Sequence, residues 1–181
     1  MQGQPPIRRI EDFRGTTLKW FLTKAFHRHY ELRSERDLYA TLSWPKRLSR
    51  IAEAQTAQGK FTIETHGVLH RYVAVKKQSA DMEYVHMQLD RGYNGALQFI
   101  DGRTYNLNRI SYFWRFHWTM TDANKALLCT FRGTRRGLEV IIEPIARHSP
   151  HLTLMTILGW YVICLLQEEM KTAVHAAILR P

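Results

Sequence analysis

Residues 152–166 read LTLMTILGWYVICLL, fifteen positions without a charge. Their apolar side chains are spread all the way round a helix instead of along one stripe. A helix of that kind has to be surrounded by lipid or by protein. At 1.5 Å per residue it is roughly 22 Å long, against a hydrocarbon core of about 30 Å that takes around 20 residues. The segment is therefore short for a bilayer span, although the uncharged run 149–167 approaches that length. Glu168-Glu169, Lys171 and Arg180 mark the return of the chain to water.

The preceding sequence supplies a protein environment. Residues 60–64, 84–89, 112–120 and 138–142 alternate apolar and polar positions, and 68–75, 96–100, 103–107 and 126–131 are read as further short strands between them. In 84–89 the apolar face is Val85, Met87 and Leu89; in 112–120 it is Tyr112, Trp114, Phe116, Trp118 and Met120. Asn94-Gly95 and Asp101-Gly102 are read as turns, and Asp122-Ala123-Asn124 as another. Period-two patterning with a turn signal about every ten residues predicts antiparallel strands in a sandwich or barrel. Residues 17–25, 29–32 and 37–44 are read as strands and 50–56 as strand or helix. A helix over 13–25 is the alternative, with Phe13, Thr17, Trp20, Phe21 and Lys24 at helical spacing. A closed sheet is expected to sheath the apolar helix on every side and to leave no unpaired edge.

Among its 181 residues the chain carries 26 Lys and Arg against 16 Asp and Glu, a formal charge of +10. The excess lies in residues 1–50, with eleven basic and five acidic groups, and in 101–150, with eight and four. Such a surface attracts polyanions over a screening length of about 8–10 Å. Anionic lipid, nucleic acid and an acidic protein all satisfy it. Residues 1–6 are polar and Pro-rich, and 13–26 is interrupted by Arg14, Lys19 and Lys24. No export signal is expected, and a cytoplasmic location follows, which suits the two unpaired cysteines Cys129 and Cys164.

A run of strands closed by one apolar C-terminal helix resembles the tubby-like barrel superfamily: tubby domains, LURP-one-related proteins and phospholipid scramblases, with a bacterial-type member the nearest in kind. The resemblance is carried by GALQFIDG (95–102), by 114–131 with its turn at Asp122, and by 138–144 followed by a short polar gap and 152–169. It covers roughly 17–175 and implies a mainly β fold, a closed antiparallel barrel of about twelve strands enclosing a central helix over 152–169. Residues 1–16 are then a flexible basic extension and 17–181 the barrel domain. The family's membrane and phosphoinositide chemistry implies a partner among anionic lipids. The acidic calcium-binding segment of scramblases has no counterpart, since no stretch holds more than two adjacent carboxylates.

Candidate site residues are the basic clusters beside turns: Lys46, Arg47 and Arg50; Lys76 and Lys77; Arg132, Arg135 and Arg136. Two clusters brought together would make an anion site, because guanidinium groups pair with phosphate oxygens in forks. Trp44, beside Pro45-Lys46-Arg47, is the candidate for an exposed interfacial indole, with ordinary core packing as the alternative. The histidine pairs (His27 and His29, His66 and His70, His148 and His151) lack the three or four convergent ligands of a zinc site. No glycine-rich phosphate loop, nucleophile elbow or helical His pair with Glu is present. The expected function is thus a non-enzymatic module without cofactor or metal, binding anionic phospholipid or phosphoinositide headgroups through basic loops, peripherally at the inner face of a membrane. Nucleic-acid binding through the same surface and a protein-interaction scaffold are the alternatives.

Overall fold

The computed structural model describes residues 5–24, 28–46, 49–67, 70–80, 82–110, 117–134 and 137–178. Twelve strands follow one another: β1 (Thr17–Lys24), β2 (His29–Arg33), β3 (Leu38–Ser43), β4 (Ile51–Thr56), β5 (Gly59–His66), β6 (Arg71–Lys77), β7 (Glu83–Leu89), β8 (Gly95–Phe99), β9 (Thr104–Arg109), β10 (His117–Asp122), β11 (Leu127–Thr134) and β12 (Gly137–Ile142). Each pairs antiparallel with its sequence neighbours, and β1 closes on β12 through Thr17↔Ile141, Leu18↔Val140, Lys19↔Glu139 and Trp20↔Leu138. The result is a closed antiparallel barrel. One helix, α1 (Leu152–Ile178), runs through it. The two ambiguous stretches resolve as strand over Thr17–Lys24 and Ile51–Thr56, because closure requires β1 and β4 as staves.

The period-two pattern is what fills the lumen. Ala52 and Ala54, Phe61 and Ile63, Val73 and Val75, Val85 and Met87, and Leu138 and Val140 all point inward and are buried. Trp118 and Met120 do the same on β10; Tyr112, Trp114 and Phe116 lie outside the described residues. Against this wall every residue from 152 to 164 is buried, which is the only arrangement in water that satisfies a helix apolar on all sides. The helix is long and apolar enough to cross a bilayer, but protein takes the place of lipid around it.

The helix expected over about 152–169 is there and continues beyond it, and two other expectations are corrected. Residues 170–178 hold no Gly or Pro, and good helix formers carry it on to Ile178. At 27 residues it is about 40 Å long, whereas an eight-residue strand spans about 27 Å, so its last turns stand in solvent. Residues 7–13, expected to be part of a flexible extension, are instead docked. Ile10 is buried, the Arg8 N–H donates to the Leu38 carbonyl at 2.8 Å, and Ile7 bridges Leu38 in parallel. The turn read at Asn94-Gly95 is centred earlier: the Asp90 carboxylate accepts from the N–H of Gly92 and of Asn94 and from Asn94 Nδ2. Gly95 is the first residue of β8, and a Cβ there would stand 2.1 Å from Met87 Cε.

The helix is pinned where it enters. His151 Nε2 lies 2.8 Å from Asp101 Oδ2, and its ring stacks on Phe99 at 3.8 Å. Tyr105 Oη pairs with Ser149 Oγ, and Gln58 Nε2 donates to the Pro150 carbonyl. The hydrogen bond with His151 is the main cause holding the Asp101 carboxyl below its ordinary range. A depressed native pKa gives stability that is present above the unfolded-state value and lost as pH falls through the native one. Asp101→Asn is therefore expected to lower the thermal midpoint at neutral pH, and the gap from wild type is expected to close in acid. A gap of equal size at both pH values would overturn the assignment.

Along the axis, closest approach is set by Gly159. A Cβ on it would stand 2.2–2.7 Å from three ring carbons of Phe131. Phe131 is fully buried, so its ring has nowhere to retreat. Gly159→Leu is expected to overpack the axis and cost about 1–3 kcal/mol or more in denaturant unfolding. Unchanged stability would contradict the enclosure of α1 at this level.

Candidate functional site

In an up-and-down barrel successive turns emerge at alternate ends. The β2–β3, β4–β5, β6–β7 and β8–β9 turns lie where α1 enters, beside His151 and Pro150. The β1–β2, β3–β4, β5–β6 and β7–β8 turns lie where it leaves. This parity sorts the basic residues. Arg28, Lys46, Arg50 and Arg91 occupy turns at the exit end, and Arg71 opens β6 there. Lys76 and Lys77 close β6 at the entry end.

The exit end holds a cleft of about 300 Å³ lined by Arg28, Trp44, Arg50, Arg71, Glu168 and Glu169. Trp44 forms its aromatic floor and is not interfacial. It is 2% exposed, its ring lies 4° from parallel with Tyr161 at 5.7 Å, and Tyr30 meets it edge-on at 6.0 Å. Burial follows because the central helix presents Tyr161 at the height where β3 ends, so the indole gains a ring partner that water cannot supply. The Arg28 guanidinium lies over the indole at 4.2 Å.

Tyr161 ties the floor to the walls. Its hydroxyl donates to the Arg50 carbonyl at 3.2 Å and shares a 2.8 Å hydrogen bond with Thr65 Oγ1. Burial pushes the Tyr161, Tyr30 and Cys164 pKa values up to about 12, so all three are neutral at physiological pH. Charge in the cleft therefore comes from the arginines and glutamates. Arg71 Nη1 binds Glu169 Oε1 at 2.6 Å and also Tyr93 Oη, over whose ring the guanidinium lies at 5.4 Å. Arg28 Nη2 stands 3.9 Å from Glu168 Oε1, beyond hydrogen-bond reach. Glu168 is also paired with Lys171 at 3.1 Å.

Of the residues singled out from sequence, Arg50 borders the cleft, and Lys46 is exposed on the same turn. Lys76 and Lys77 sit at the opposite end and do not join them. Arg132 is on the outer wall, where its Nε and Nη2 both donate to Glu139 Oε2 and Lys19 stands 3.5 Å from Glu139 Oε1. That is a solvated ion-pair cluster, worth little on its own. Arg47, Arg135 and Arg136 lie outside the described residues, as does His27. Sequence reading missed Arg28, Arg71, Glu168 and Glu169 as a group. The usable signal was parity: counting strands puts Arg28, Arg50 and Arg71 at one end, together with the point where α1 turns polar.

The chain matches no family model, no curated protein and no solved structure. Among the described residues no three His, Cys, Asp or Glu side chains are grouped to hold a metal ion. Cys129 and Cys164 are buried, and burial raises the pKa of both thiols, a setting opposite to that of a reactive thiolate.

A buried Trp44 makes a different stability prediction from an exposed one. Trp44→Ala is expected to lower unfolding stability by about 3–5 kcal/mol, because it empties the space between Tyr161 and Arg28. An interfacial indole would leave chemical denaturation unchanged.

Proposed function

We propose that this protein is a non-enzymatic binding module that takes the phosphorylated headgroup of an anionic phospholipid at the helix-exit end of the barrel, peripherally on the inner face of a membrane. The observation that carries the reading is the gathering of Arg28, Arg50 and Arg71 around one aromatic-floored cleft, with Lys46 on its rim. A twelve-stranded barrel around a C-terminal helix is also the architecture that the tubby-like resemblance implies, which supports placing the chain in that superfamily.

Magnitudes favour a surface partner over a soluble counter-ion. Each Lys or Arg near an anionic membrane contributes around 1 kcal/mol. Arg28 and Arg71 are partly neutralised by glutamates, so Lys46, Arg50 and Arg91 supply most of the attraction. Apolar contact is available at the same rim, since Leu22, near the end of β1, is 52% exposed and Ile51, which opens β4, is also exposed.

Position, not net charge, is the test. Lys46→Glu/Arg50→Glu and Lys76→Glu/Lys77→Glu change the formal charge equally but at opposite ends. In flotation with phosphatidylcholine vesicles carrying phosphatidic acid, the first pair is expected to bind at least tenfold more weakly, from about 1 kcal/mol per charge. The second pair is expected to stay near wild type. Equal losses would reduce the effect to bulk charge, and equal wild-type binding to pure phosphatidylcholine would exclude headgroup recognition. Stronger binding to duplex or single-stranded nucleic acid at the same salt would move the assignment to that class.

A further inference from the structure

We infer that the cleft is a phosphomonoester site gated by the chain's own carboxylates: Glu168 and Glu169 of α1 occupy Arg28 and Arg71, and the ligand binds by displacing them. The inference rests on the exit-end reading above and adds the ligand's chemical class and its regulation.

The two glutamates are consecutive residues at the point where α1 leaves the lumen. Neighbours on a helix diverge by about 100°, so the pair reaches to two different walls: Glu169 to Arg71 on β6, Glu168 toward Arg28 in the β1–β2 turn. Together they clasp the cleft from the helix side. The two contacts are unequal. Glu169 makes a short charge-assisted bond to Arg71, whereas Glu168 stops at 3.9 Å from a guanidinium whose side chain is only 15% exposed. The Arg28 Nε is fully buried and has no hydrogen-bond partner. Trp44, Tyr30 and Cys164 meet other parts of this guanidinium, but a buried N–H without an acceptor is costly, and an oxyanion that reaches deeper than Glu168 relieves that cost.

Displacement is cheap on the glutamate side. The Glu168 and Glu169 side chains are 47% and 51% exposed, so both can swing into water, and Lys171 already holds Glu168 from outside. A carboxylate brings one charge and two oxygens. A phosphomonoester brings a charge of about −1.5 to −2 and three acceptor oxygens, enough to bridge two or three guanidinium forks at once. A volume of about 300 Å³ is at the lower limit for ligand pockets and suits a headgroup rather than a whole lipid. The gate lowers apparent affinity by the fraction of molecules in which the arginines are occupied.

The full-length chain tests this with two probes: phosphatidylcholine vesicles carrying phosphatidic acid, and glycerol phosphate in solution. Glu168→Gln/Glu169→Gln is compared with Glu35→Gln/Glu83→Gln, which removes two charges at the entry end. The first pair is expected to bind about tenfold more tightly, within the usual range of coupling between sites, and the second to bind as wild type does. Tightening on both probes identifies the phosphate itself as sufficient, and tightening on vesicles alone identifies the lipid headgroup; either supports the gate. Equal tightening in both pairs, no change, or weaker binding in the first pair overturns it. The single variant Glu169→Gln, at an exposed position, gives the same reading should the double variant fold poorly. If Lys46→Glu/Arg50→Glu weakens binding while the Gln pair does not tighten it, the gate alone falls. If neither wild type nor the Gln pair binds either probe, the exit-end reading falls with it.

Discussion

The enclosure of a helix that is apolar on every face is the constraint on which the rest of this structure depends. Such a helix cannot lie on a surface, because no orientation hides all of it. The sheet around it therefore has to close, and closing fixes both the antiparallel order of the staves and the inward face of each one. β1 must pair with β12 despite a separation of more than a hundred residues. A barrel without α1 would hold a void where Leu154, Ile157, Leu158 and Tyr161 now stand, and α1 without the barrel would expose all of them. Each part covers apolar surface that the other would leave exposed, and closure pairs the first strand with the last.

Much of this was legible in the sequence, and the reason is physical. Period two and the all-round apolarity of 152–166 are properties of single segments, and burial in a closed barrel acts on each segment directly. What was not legible depends on where segments meet. Trp44 has the same neighbours, Pro45 and Lys46, whether its ring faces lipid or Tyr161; only the height of the helix in the lumen decides. Arg132 looks like Arg50 in sequence, yet its cross-strand partner Glu139 neutralises it, and that partner is set by the β11–β12 register. Gly95 resembled a turn glycine beside Asn94. It is a packing glycine under Met87, and the turn's geometry comes from Asp90 four residues before Asn94.

Charge placement shows how a basic chain stays folded. Along the outer wall positive groups are matched locally: Arg132 and Lys19 with Glu139, Arg33 with Glu31, Arg8 with Asp37. Each such pair adds little stability in water, but it removes the repulsion that a net charge of +10 would otherwise spread over the whole surface. Other basic groups stand at turns of both ends: Lys46, Arg50 and Arg91 where α1 leaves, Lys76 and Lys77 where it enters.

The same helix that fills the core also assembles the cleft. Tyr161 sets the Trp44 ring beneath Arg28, and two turns later Glu168 and Glu169 reach the arginines. These positions are fixed relative to the lumen by Asp101 with His151 at the entry end and by Phe131 against Gly159 along the axis. A slip of one residue along the axis would turn α1 by about 100° and move it 1.5 Å, taking the aromatic floor and both carboxylates out of register together. Core packing and the geometry of the cleft therefore share one degree of freedom. A change deep in the barrel that shifts the helix is felt at the exit rim without touching a single charged residue there.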